Sequence, residues 1–322
     1  MFERALIMYI YAETPIHPGS GTTISGAVDL PIQRERYTGF PIIQGSSLKG
    51  VLRNSACFIE IENKCKKCDK MPKTVEKCEI LRQVFGSPEG IGGVSITDAR
   101  ILAFPVRTLK GVFGWITCPL VLNRYGRDLK IADWDVNWNL KDLNIGDDKA
   151  IIGKESSLKM EIEEAGQKKE YVYIEEIQLE AIRKDELIKA ITSKIVKGLP
   201  DDDIYEAIRD KLSKDLVIVS DDVFRDLVTL TTEVVTRIKI DPKTGTVEPG
   251  GLWSEEYLPT DTLMYSLILI PSRLNKLKSE EIEGKIMNYD GKILQIGRDE
   301  TIGKGFVRIR LVKGGDKSVK MP

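Results

Sequence analysis

The feature that most constrains the fold is a long β-hairpin signal in the last third of the chain. Residues 234–240, Val-Val-Thr-Arg-Ile-Lys-Ile, largely alternate apolar and polar side chains, and 241–245, Asp-Pro-Lys-Thr-Gly, are typical of a turn. Residues 246–259 then return as a second strand. Because a two-stranded arm is only marginally stable by itself, we expect this hairpin to pack on a partner.

The rest of the chain mixes strand and helix patterns. Apolar and alternating runs predict strands at 3–12, 93–104, 109–122, 171–179, 262–271, 292–297 and 305–312. Amphipathic spacing predicts helices from Ser46 or Ser47 to 61, immediately before Phe85-Gly86, and at 180–196, 203–212, 221–230 and 279–288. The polar segment 128–170 is expected at the surface. This order predicts an α+β fold around an antiparallel sheet.

Composition narrows the class of protein. Of the 322 residues, 42% are hydrophobic, which is enough to build a folded core. The 48 Lys and Arg nearly cancel the 49 Asp and Glu, so attraction to a polyanion has to come from local basic patches. The apolar run at 5–12 is too short for a membrane span and lacks a signal-peptide cleavage site. We therefore expect a cytoplasmic protein with no membrane partner.

Four of the five cysteines fall within 57–78. Cys65 and Cys68 form a CxxC pair, and Cys57 and Cys78 complete a set of thiolates that could hold a structural zinc ion. The spacing matches no standard zinc-ribbon pattern, so free thiols in a lysine-rich loop are the favoured interpretation. Cys118 lies in an apolar stretch and is predicted to be core.

One candidate RNA-binding segment lies at the start of the first predicted helix. Gly45, Ser46 and Ser47 lie where free backbone N–H groups and the helix dipole attract anions, and Lys49 and Arg53 follow one turn apart. The pattern suits a nucleic-acid phosphate and reads no base. Ordinary helix capping with solvated basic side chains explains the segment equally well.

A second candidate segment lies near the C-terminus. Gly303, Lys304 and Gly305 form a flexible turn before a strand in which Arg308 and Arg310 share one face. Such a turn allows close backbone approach to RNA, with arginines beside it.

Together the two segments resemble the RAMP superfamily of CRISPR proteins. Residues 28–35 (Val-Asp-Leu-Pro-Ile-Gln-Arg-Glu), 38–41 (Thr-Gly-Phe-Pro) and 46–50 (Ser-Ser-Leu-Lys-Gly) resemble the repeated backbone subunits of type III-B Cmr effector complexes, and 251–259 resemble their thumb. The resemblance covers nearly the whole chain and is weakest at 57–80 and 125–230. It implies one domain over 1–322, with an RRM-like (ferredoxin-like) core, insertions at about 57–80 and 125–230, and a thumb hairpin at about 232–260.

The resemblance also implies a function. Such subunits line up along a guide RNA, insert their thumbs into the guide–target duplex, and cut the complementary single-stranded target RNA at regular intervals. The expected partners are guide RNA, target RNA, copies of the same chain in a helical filament, and other Cmr subunits, including a small helical one.

The family's cleaving aspartate corresponds to Asp29. Its carboxylate could hold Mg²⁺ or Mn²⁺ at the scissile phosphate, or help activate the neighbouring 2′-hydroxyl. His17, the only histidine, lies in a loop where the family has one, so the resemblance implies proton donation or phosphate binding.

The hairpin carries further candidates. Glu255 and Tyr257 alternate on the returning strand, where the family has residues that assist cleavage, although Glu256 leaves the alignment ambiguous by one position. A solvated acidic edge is the alternative. Arg237 and Lys239 are candidate phosphate contacts or plain surface charges.

Three alternatives to a metal-dependent cleaving subunit stay open at this point. The chain could be a passive scaffold along guide RNA, the equivalent Csm-type backbone subunit, or a stand-alone endonuclease that matures guide precursors without metal. The last is disfavoured because no second histidine accompanies His17.

Overall fold

The computed structural model describes residues 2–22, 26–61, 79–87, 90–141, 143–164, 166–271 and 277–314, with the side chains of 57–61 and 164 excepted. Cys65, Cys68 and Cys78 lie outside the described residues, as does the side chain of Cys57, so the zinc site stays a prediction. Cys118 is fully buried, as expected. Within the described ranges, no helix has both the length and the hydropathy needed to cross a bilayer.

The described residues form fifteen strands and seven α-helices, which confirms the mixed α+β prediction. The strands are β1 Phe2–Ala12, β2 Ile42–Ile43, β3 Ser95–Ile96, β4 Ala99–Arg107, β5 Phe113–Thr117, β6 Lys149–Ile152, β7 Met160–Glu164, β8 Gln167–Ile174, β9 Ile177–Arg183, β10 Leu216–Ile218, β11 Glu233–Ile240, β12 Val247–Tyr257, β13 Leu263–Pro271, β14 Ile293–Gln295 and β15 Phe306–Lys313. The helices are α1 Gly45–Ile61, α2 Glu79–Phe85, α3 Pro119–Ile131, α4 Asp185–Ile195, α5 Glu206–Lys214, α6 Asp221–Leu230 and α7 Ser279–Met287.

One large sheet runs in the order β14-β15-β1-β13-β4-β5-β10-β6-β9-β8-β7. Its pairings are antiparallel except β5 with β10 and β6 with β9, which are parallel. β1 lies between β13 and β15, with Tyr9 opposite both Tyr265 and Arg310. The unbroken apolar run of β1 is explained by this central place, because a strand covered on both faces needs no polar side.

Helices cover both faces of the central strands. On one face, the Tyr9 hydroxyl lies 2.6 Å from that of Tyr125 in α3. On the other, Arg4 forms an ion pair with Glu283 of α7 at 2.8 Å. Since residues an odd number apart on a strand point to opposite faces, these contacts place α3 and α7 on opposite sides. Neither face of the central strands is therefore an open surface, and the loops at the ends of these strands are more accessible than the sheet.

Three local predictions were wrong. The strand expected to reach 122 ends at Thr117, because Pro119 favours the first turn of a helix and α3 begins there. The segment 128–170 is not confined to the surface, since β6 is part of the large sheet and Ile151 is buried. The helix expected from 180 begins at Asp185, because β9 continues to Arg183.

The hairpin indicated by the alternation is formed by β11 and β12. They pair antiparallel from Glu233 opposite Tyr257 to Ile240 opposite Val247, and they form a sheet separate from the large one. Ile238 is 54% exposed near the far end, whereas Tyr257 at the base is fully buried. The base of the hairpin therefore belongs to the body of the protein, and the far end projects from it.

Candidate functional site

Asp29 is exposed, yet its carboxylate is fixed to the hairpin strand β12. Oδ2 accepts hydrogen bonds from the backbone N–H of Ser254 at 2.8 Å and from the Ser254 hydroxyl at 2.9 Å. These bonds, the backbone one first, lower the pKa of Asp29 below its ordinary value. The result is an ionised carboxylate that is held in one direction and still open to solvent.

Glu256 fastens the Asp29 loop to the same strand. Its backbone N–H donates to the Leu30 carbonyl at 3.0 Å. Its carboxylate accepts from the Ile32 N–H at 3.0 Å and from Thr232 at 2.8 Å, and it pairs with Arg34. The buried Glu256 carboxylate thus holds the Asp29 loop, whereas Glu255 lies on the face beside Tyr257.

Glu255 lies on the opposite face of β12 in a closed set of hydrogen bonds. Its Oε1 accepts from Trp253 Nε1 at 2.8 Å, and its Oε2 accepts from Arg237 Nε at 3.1 Å and from the Tyr257 hydroxyl. Burial acts to raise the pKa of Glu255, but the hydrogen bonds from Trp253, Tyr257 and Arg237 outweigh it and bring the pKa to about 2. With 2% of its surface exposed, Glu255 is not part of a solvated acidic edge.

The side chain of Tyr257 is in contact with three other parts of the chain. Its hydroxyl lies 2.8 Å from Oδ2 of Asp299, Lys304 Nζ lies 5.0 Å from its ring centroid, and the His17 ring meets it edge-on at 5.5 Å. Burial raises the pKa of Tyr257 well above its ordinary value. Sequence reasoning missed Asp299, because nothing in its charged local sequence sets it apart.

His17 is buried, with 3% of its surface exposed, and its tautomer is set by the hairpin. Nδ1 lies 2.6 Å from the carbonyl oxygen of Glu256. A carbonyl only accepts, so Nδ1 carries the proton and Nε2 of the neutral ring is an acceptor. A Cβ at Gly19 would lie 2.7 Å from Nε2, so a side chain at 19 would collide with the ring.

An open pocket of about 520 Å³ lies between the loop of His17, the start of α1 and the turn at Gly297. Its walls include His17 and Gly19, Ser47 at the start of α1, and the turn at Gly297. Gly297 has φ +90°, and a Cβ there would lie 2.3 Å from the His17 carbonyl oxygen, so only glycine fits. The loop of the single histidine, the start of the first helix and the turn at 296–298 thus form one surface.

The N-terminus of α1 differs from the expected cap. The helix begins at Gly45, whose N–H donates to the Asp98 carboxylate at 2.8 Å, and both Ser46 and Ser47 are exposed. Lys49 donates to the Val94 carbonyl at 3.0 Å. Its pKa is lowered by burial and, second, by Arg53. Ser46 and Ser47 are therefore more accessible to a phosphate than Lys49, whose ammonium group already has a partner.

Three other basic candidates, Arg237, Lys239 and Arg308, have acidic partners inside the protein. Arg237 is bound to Glu255, as described above. Lys239 pairs with Glu248 at 2.7 Å, and Arg308 with Glu13 at 3.1 Å. Contact of these side chains with RNA phosphates would compete with these ion pairs.

In the glycine-rich segment both glycines have left-handed backbones, with φ of +80° at Gly303 and +78° at Gly305. A Cβ at Gly305 would lie 2.2 Å from the Ile296 carbonyl oxygen, whereas a Cβ at Gly303 would meet nothing within 4 Å. Gly305 is therefore needed by the fold, and Gly303 presents bare backbone to solvent.

The described side chains around Asp29 do not by themselves supply enough ligands for a divalent cation. Across the described ranges, no three His, Cys, Asp or Glu side chains converge as metal ligands do. Mg²⁺ and Mn²⁺ prefer several oxygen ligands, and Asp29 supplies a single carboxylate already bound by Ser254. An ion at Asp29 would depend on oxygens from RNA and water.

Comparison with known proteins gives a consistent picture. The profile described as RAMPs, RAMP superfamily, matches residues 9–308. A protein of Pyrococcus furiosus named CRISPR system Cmr endoribonuclease Cmr4 is 43% identical over 314 residues, covering 96% of each chain. The crystal structure of oligomeric Cmr4 from Pyrococcus furiosus aligns with TM-score 0.71 and 34% identity, over 97% of this chain and 99% of that one. A chain from the cryo-EM structure of the type III-B Cmr-beta bound to cognate target RNA shares the fold, with TM-score 0.68 and 23% identity, over 96% and 98% of the chains.

Proposed function

Because the chain belongs to the RAMP superfamily, we propose that it is an RNA-guided endoribonuclease subunit of a type III-B Cmr complex that acts in antiviral defence. It binds guide RNA along the phosphate backbone and cleaves complementary single-stranded target RNA at regular intervals. The observation that carries the proposal is the exposed, ionised carboxylate of Asp29, which two hydrogen bonds from Ser254 fix at the hairpin base. The name of the Pyrococcus furiosus relative, a Cmr endoribonuclease, supports it.

The architecture we infer is a single domain over 1–322 with a ferredoxin-like core and a thumb. Four strands lie in the order β15-β1-β13-β4, all antiparallel. In chain order α1 lies between β1 and β4, and α7 between β13 and β15. This βαββαβ arrangement supports an RRM-like core, with insertions at about 57–80 and 125–230. The projecting hairpin of β11 and β12 is the candidate thumb.

Guide RNA in this proposal follows the pocket between α1 and the turn at Gly297, and it then passes the glycine-rich turn at Gly303. Ser46 and Ser47 lie at a helix N-terminus, where backbone N–H groups attract phosphate. Gly303 allows the RNA backbone to approach closely, and Lys304 adds positive charge beside it. Such contacts position RNA without reading its sequence, which suits a subunit whose target is chosen by base pairing.

The target strand supplies its own nucleophile. In the proposed step the 2′-oxygen bonds to the adjacent phosphorus as its proton passes to Asp29, the bond from phosphorus to the 5′-oxygen breaks, and that oxygen takes up a proton. The products are a 2′,3′-cyclic phosphate and a 5′-hydroxyl. His17 Nε2 accepts hydrogen bonds in the neutral ring, so it becomes a proton donor or phosphate ligand only after protonation. Glu255, with its bonds satisfied by Trp253 and Arg237, acts by positioning Tyr257.

Dependence on a divalent cation is part of the proposal. Mg²⁺ or Mn²⁺, when bound, would supply charge neutralisation at the scissile phosphate. Asp29 is the residue that would hold it, together with RNA oxygens.

The proposed partners are guide RNA, target RNA, further copies of this chain in a helical filament and other Cmr subunits, including a small helical one. The structure of an oligomeric relative supports self-association.

The deciding experiment assembles the wild-type chain with guide RNA and its partner subunits and adds end-labelled complementary RNA, with Mg²⁺, Mn²⁺ or chelator. Regularly spaced cuts that require the cation support the proposal, and the chemistry of the product ends reports whether the 2′-hydroxyl attacks. Tight target binding without cuts would favour a passive scaffold instead.

A matched pair of variants tests the close approach of RNA at Gly303. Asparagine and aspartate both tolerate a left-handed backbone, and the space there is empty for 4 Å. We expect Gly303→Asp to weaken guide binding by about 10-fold relative to Gly303→Asn, because it adds a negative charge beside phosphate. Filter binding at several salt concentrations measures this. A difference that does not shrink as salt rises would contradict an electrostatic cause.

Shortening the hairpin separates cleavage from guide binding. Replacing 239–248 by a tight turn removes the projecting end, and it keeps Ser254 and Glu256, which hold the Asp29 loop. We expect cleavage of bound target to fall by about 10-fold or more, with guide affinity changed less than about 2-fold, since none of residues 239–248 lines the pocket at α1. Equal loss of both in parallel cleavage and filter-binding assays would show that the hairpin also holds the guide.

A further inference from the structure

The Tyr257 hydroxyl links two segments that are far apart in the chain. It contacts Oε2 of Glu255 on its own strand and lies 2.8 Å from Oδ2 of Asp299, in the turn between β14 and β15. Arg237 donates a hydrogen bond to the Tyr257 hydroxyl oxygen at 3.1 Å. A hydroxyl has one proton, so it donates to one of the two carboxylates at a time.

Glu255 and Asp299 differ in the other side-chain donors that surround their carboxylates. Glu255 already accepts from Trp253 at 2.8 Å and from Arg237 at 3.1 Å. Asp299 has the Tyr257 hydroxyl at 2.8 Å but Arg298 Nε only at 3.9 Å. Among the described residues, the Tyr257 hydroxyl is therefore the nearest side-chain donor of Asp299, whereas Glu255 has two further donors.

Asp299 belongs to the segment that leads into the glycine-rich turn. Its backbone is left-handed, with φ +68°, and its carbonyl accepts from the Lys304 N–H at 3.1 Å. Lys304 Nζ lies 5.0 Å from the Tyr257 ring, and the Arg298 N–H donates to the His17 carbonyl at 3.2 Å. The segment thus touches Tyr257 at its hydroxyl and its ring, and it touches the histidine loop as well.

We propose that Asp299 is a positioning residue for target cleavage. By holding the Tyr257 hydroxyl, it ties the cleavage face of β12 to the segment that meets guide RNA, so cleavage depends on that segment being in place. Asp299 itself does not contribute to guide binding. The inference rests on the proposed cleavage function.

Two substitutions separate the hydrogen bond from the backbone conformation. Asp299→Gly removes the acceptor and adopts φ +68° freely, whereas Asp299→Asn keeps an oxygen acceptor and tolerates this backbone. We expect Asp299→Gly to lower the single-turnover cleavage rate of the assembled complex by about 10-fold, with guide and target affinities unchanged, and Asp299→Asn to restore most of the rate. Equal rates for the two variants would overturn the proposal.

A double-mutant cycle tests whether Asp299 acts through Tyr257 or only supports its own turn. In a Tyr257→Phe chain the hydroxyl is absent, so Asp299→Gly is expected to have no further effect on cleavage. A loss of the same size in both backgrounds would show that Asp299 supports the turn independently of Tyr257, and would overturn the proposal.

Fluorescence of Trp253 gives a readout that does not need cleavage. Its indole N–H donates to Glu255, and the same carboxylate accepts a hydrogen bond from the Tyr257 hydroxyl. Subtracting the emission of the Trp253→Phe chain isolates this indole. We expect its emission to shift in Asp299→Gly and to be retained in Asp299→Asn, in the full chain without RNA. If the wild-type complex does not cleave, the proposed function fails while this measurement still decides the contact. Unchanged Trp253 emission in Asp299→Gly would overturn the proposal that Asp299 holds the Tyr257 hydroxyl.

Discussion

Asp29→Ala is expected to lower target cleavage by about 100-fold or more, with guide binding, target binding and stability unchanged. The carboxylate is exposed, and its hydrogen bonds go to Ser254 on the surface strand, so removing it leaves no buried group without a partner. The chemistry loses the group that accepts the 2′-hydroxyl proton and that would hold a cation. Quantified cleavage on a sequencing gel, beside filter binding and thermal unfolding, measures the three effects separately.

Two control variants show whether the charge or its direction matters. Asp29→Asn preserves the shape and an acceptor for Ser254 but removes the base, so we expect a loss close to that of alanine. Ser254→Ala removes the hydroxyl bond at 2.9 Å and keeps the backbone bond at 2.8 Å. Cleavage should then fall by about 3- to 10-fold, because the carboxylate is less well oriented. Identical cleavage by wild type and Asp29→Ala would make the chain a scaffold.

Glu256→Ala is expected to reduce the free energy of unfolding by about 2–4 kcal/mol. The substitution leaves Arg34 and the Ile32 N–H without their carboxylate partner in a largely buried position. The loss of unfolding free energy is smaller than for a fully buried ion pair because the Arg34 side chain is 21% exposed. The loop that carries Asp29 also loses its attachment, so cleavage falls together with stability. Denaturant unfolding followed by circular dichroism measures the loss.

Glu256→Gln is the matched control, because it retains an oxygen that accepts from Ile32 and removes only the charge. We expect it to recover at least half of the lost stability. The roles of Asp29 and Glu256 can then be distinguished. Asp29→Ala is expected to lose cleavage alone, whereas Glu256→Ala is expected to lose stability and cleavage together. If Glu256→Ala unfolded at the wild-type denaturant concentration, the assignment of Glu256 as the residue that fastens the loop would be wrong.

Local elements could be read from the sequence because their signals are local. The apolar run of β1 and the alternation and turn of the β11–β12 hairpin each lie within a short stretch. The prediction failed at 118–122, where an apolar run fits strand and helix equally and Pro119 decides for helix. It also failed for the polar segment 128–170, because burial of β6 depends on strands far away in the sequence.

In the candidate site too, some features could be predicted from the sequence and others depended on long-range contacts. Asp29, His17, Glu255 and Tyr257 were found by resemblance, and their roles in cleavage stay predictions. Charge pattern alone marked Arg237 and Arg308 as phosphate ligands, whereas both have acidic partners within the protein. The sequence could not show this, because Arg308 and Glu13 are 295 positions apart.

The sequence by itself therefore determined the α+β class, the projecting hairpin, the glycine-rich turn and the choice of family, all of which depend on short-range patterns of residue type. Only the tertiary structure decided that Glu256 fastens a loop while Glu255 lies beside Tyr257, that Asp299 reaches the Tyr257 hydroxyl, and that the His17 ring is anchored by a carbonyl 239 positions away. The physical reason is that a polar side chain acquires its role from the donors and acceptors around it. In this fold those partners come from strands and loops that meet only when the sheet is complete.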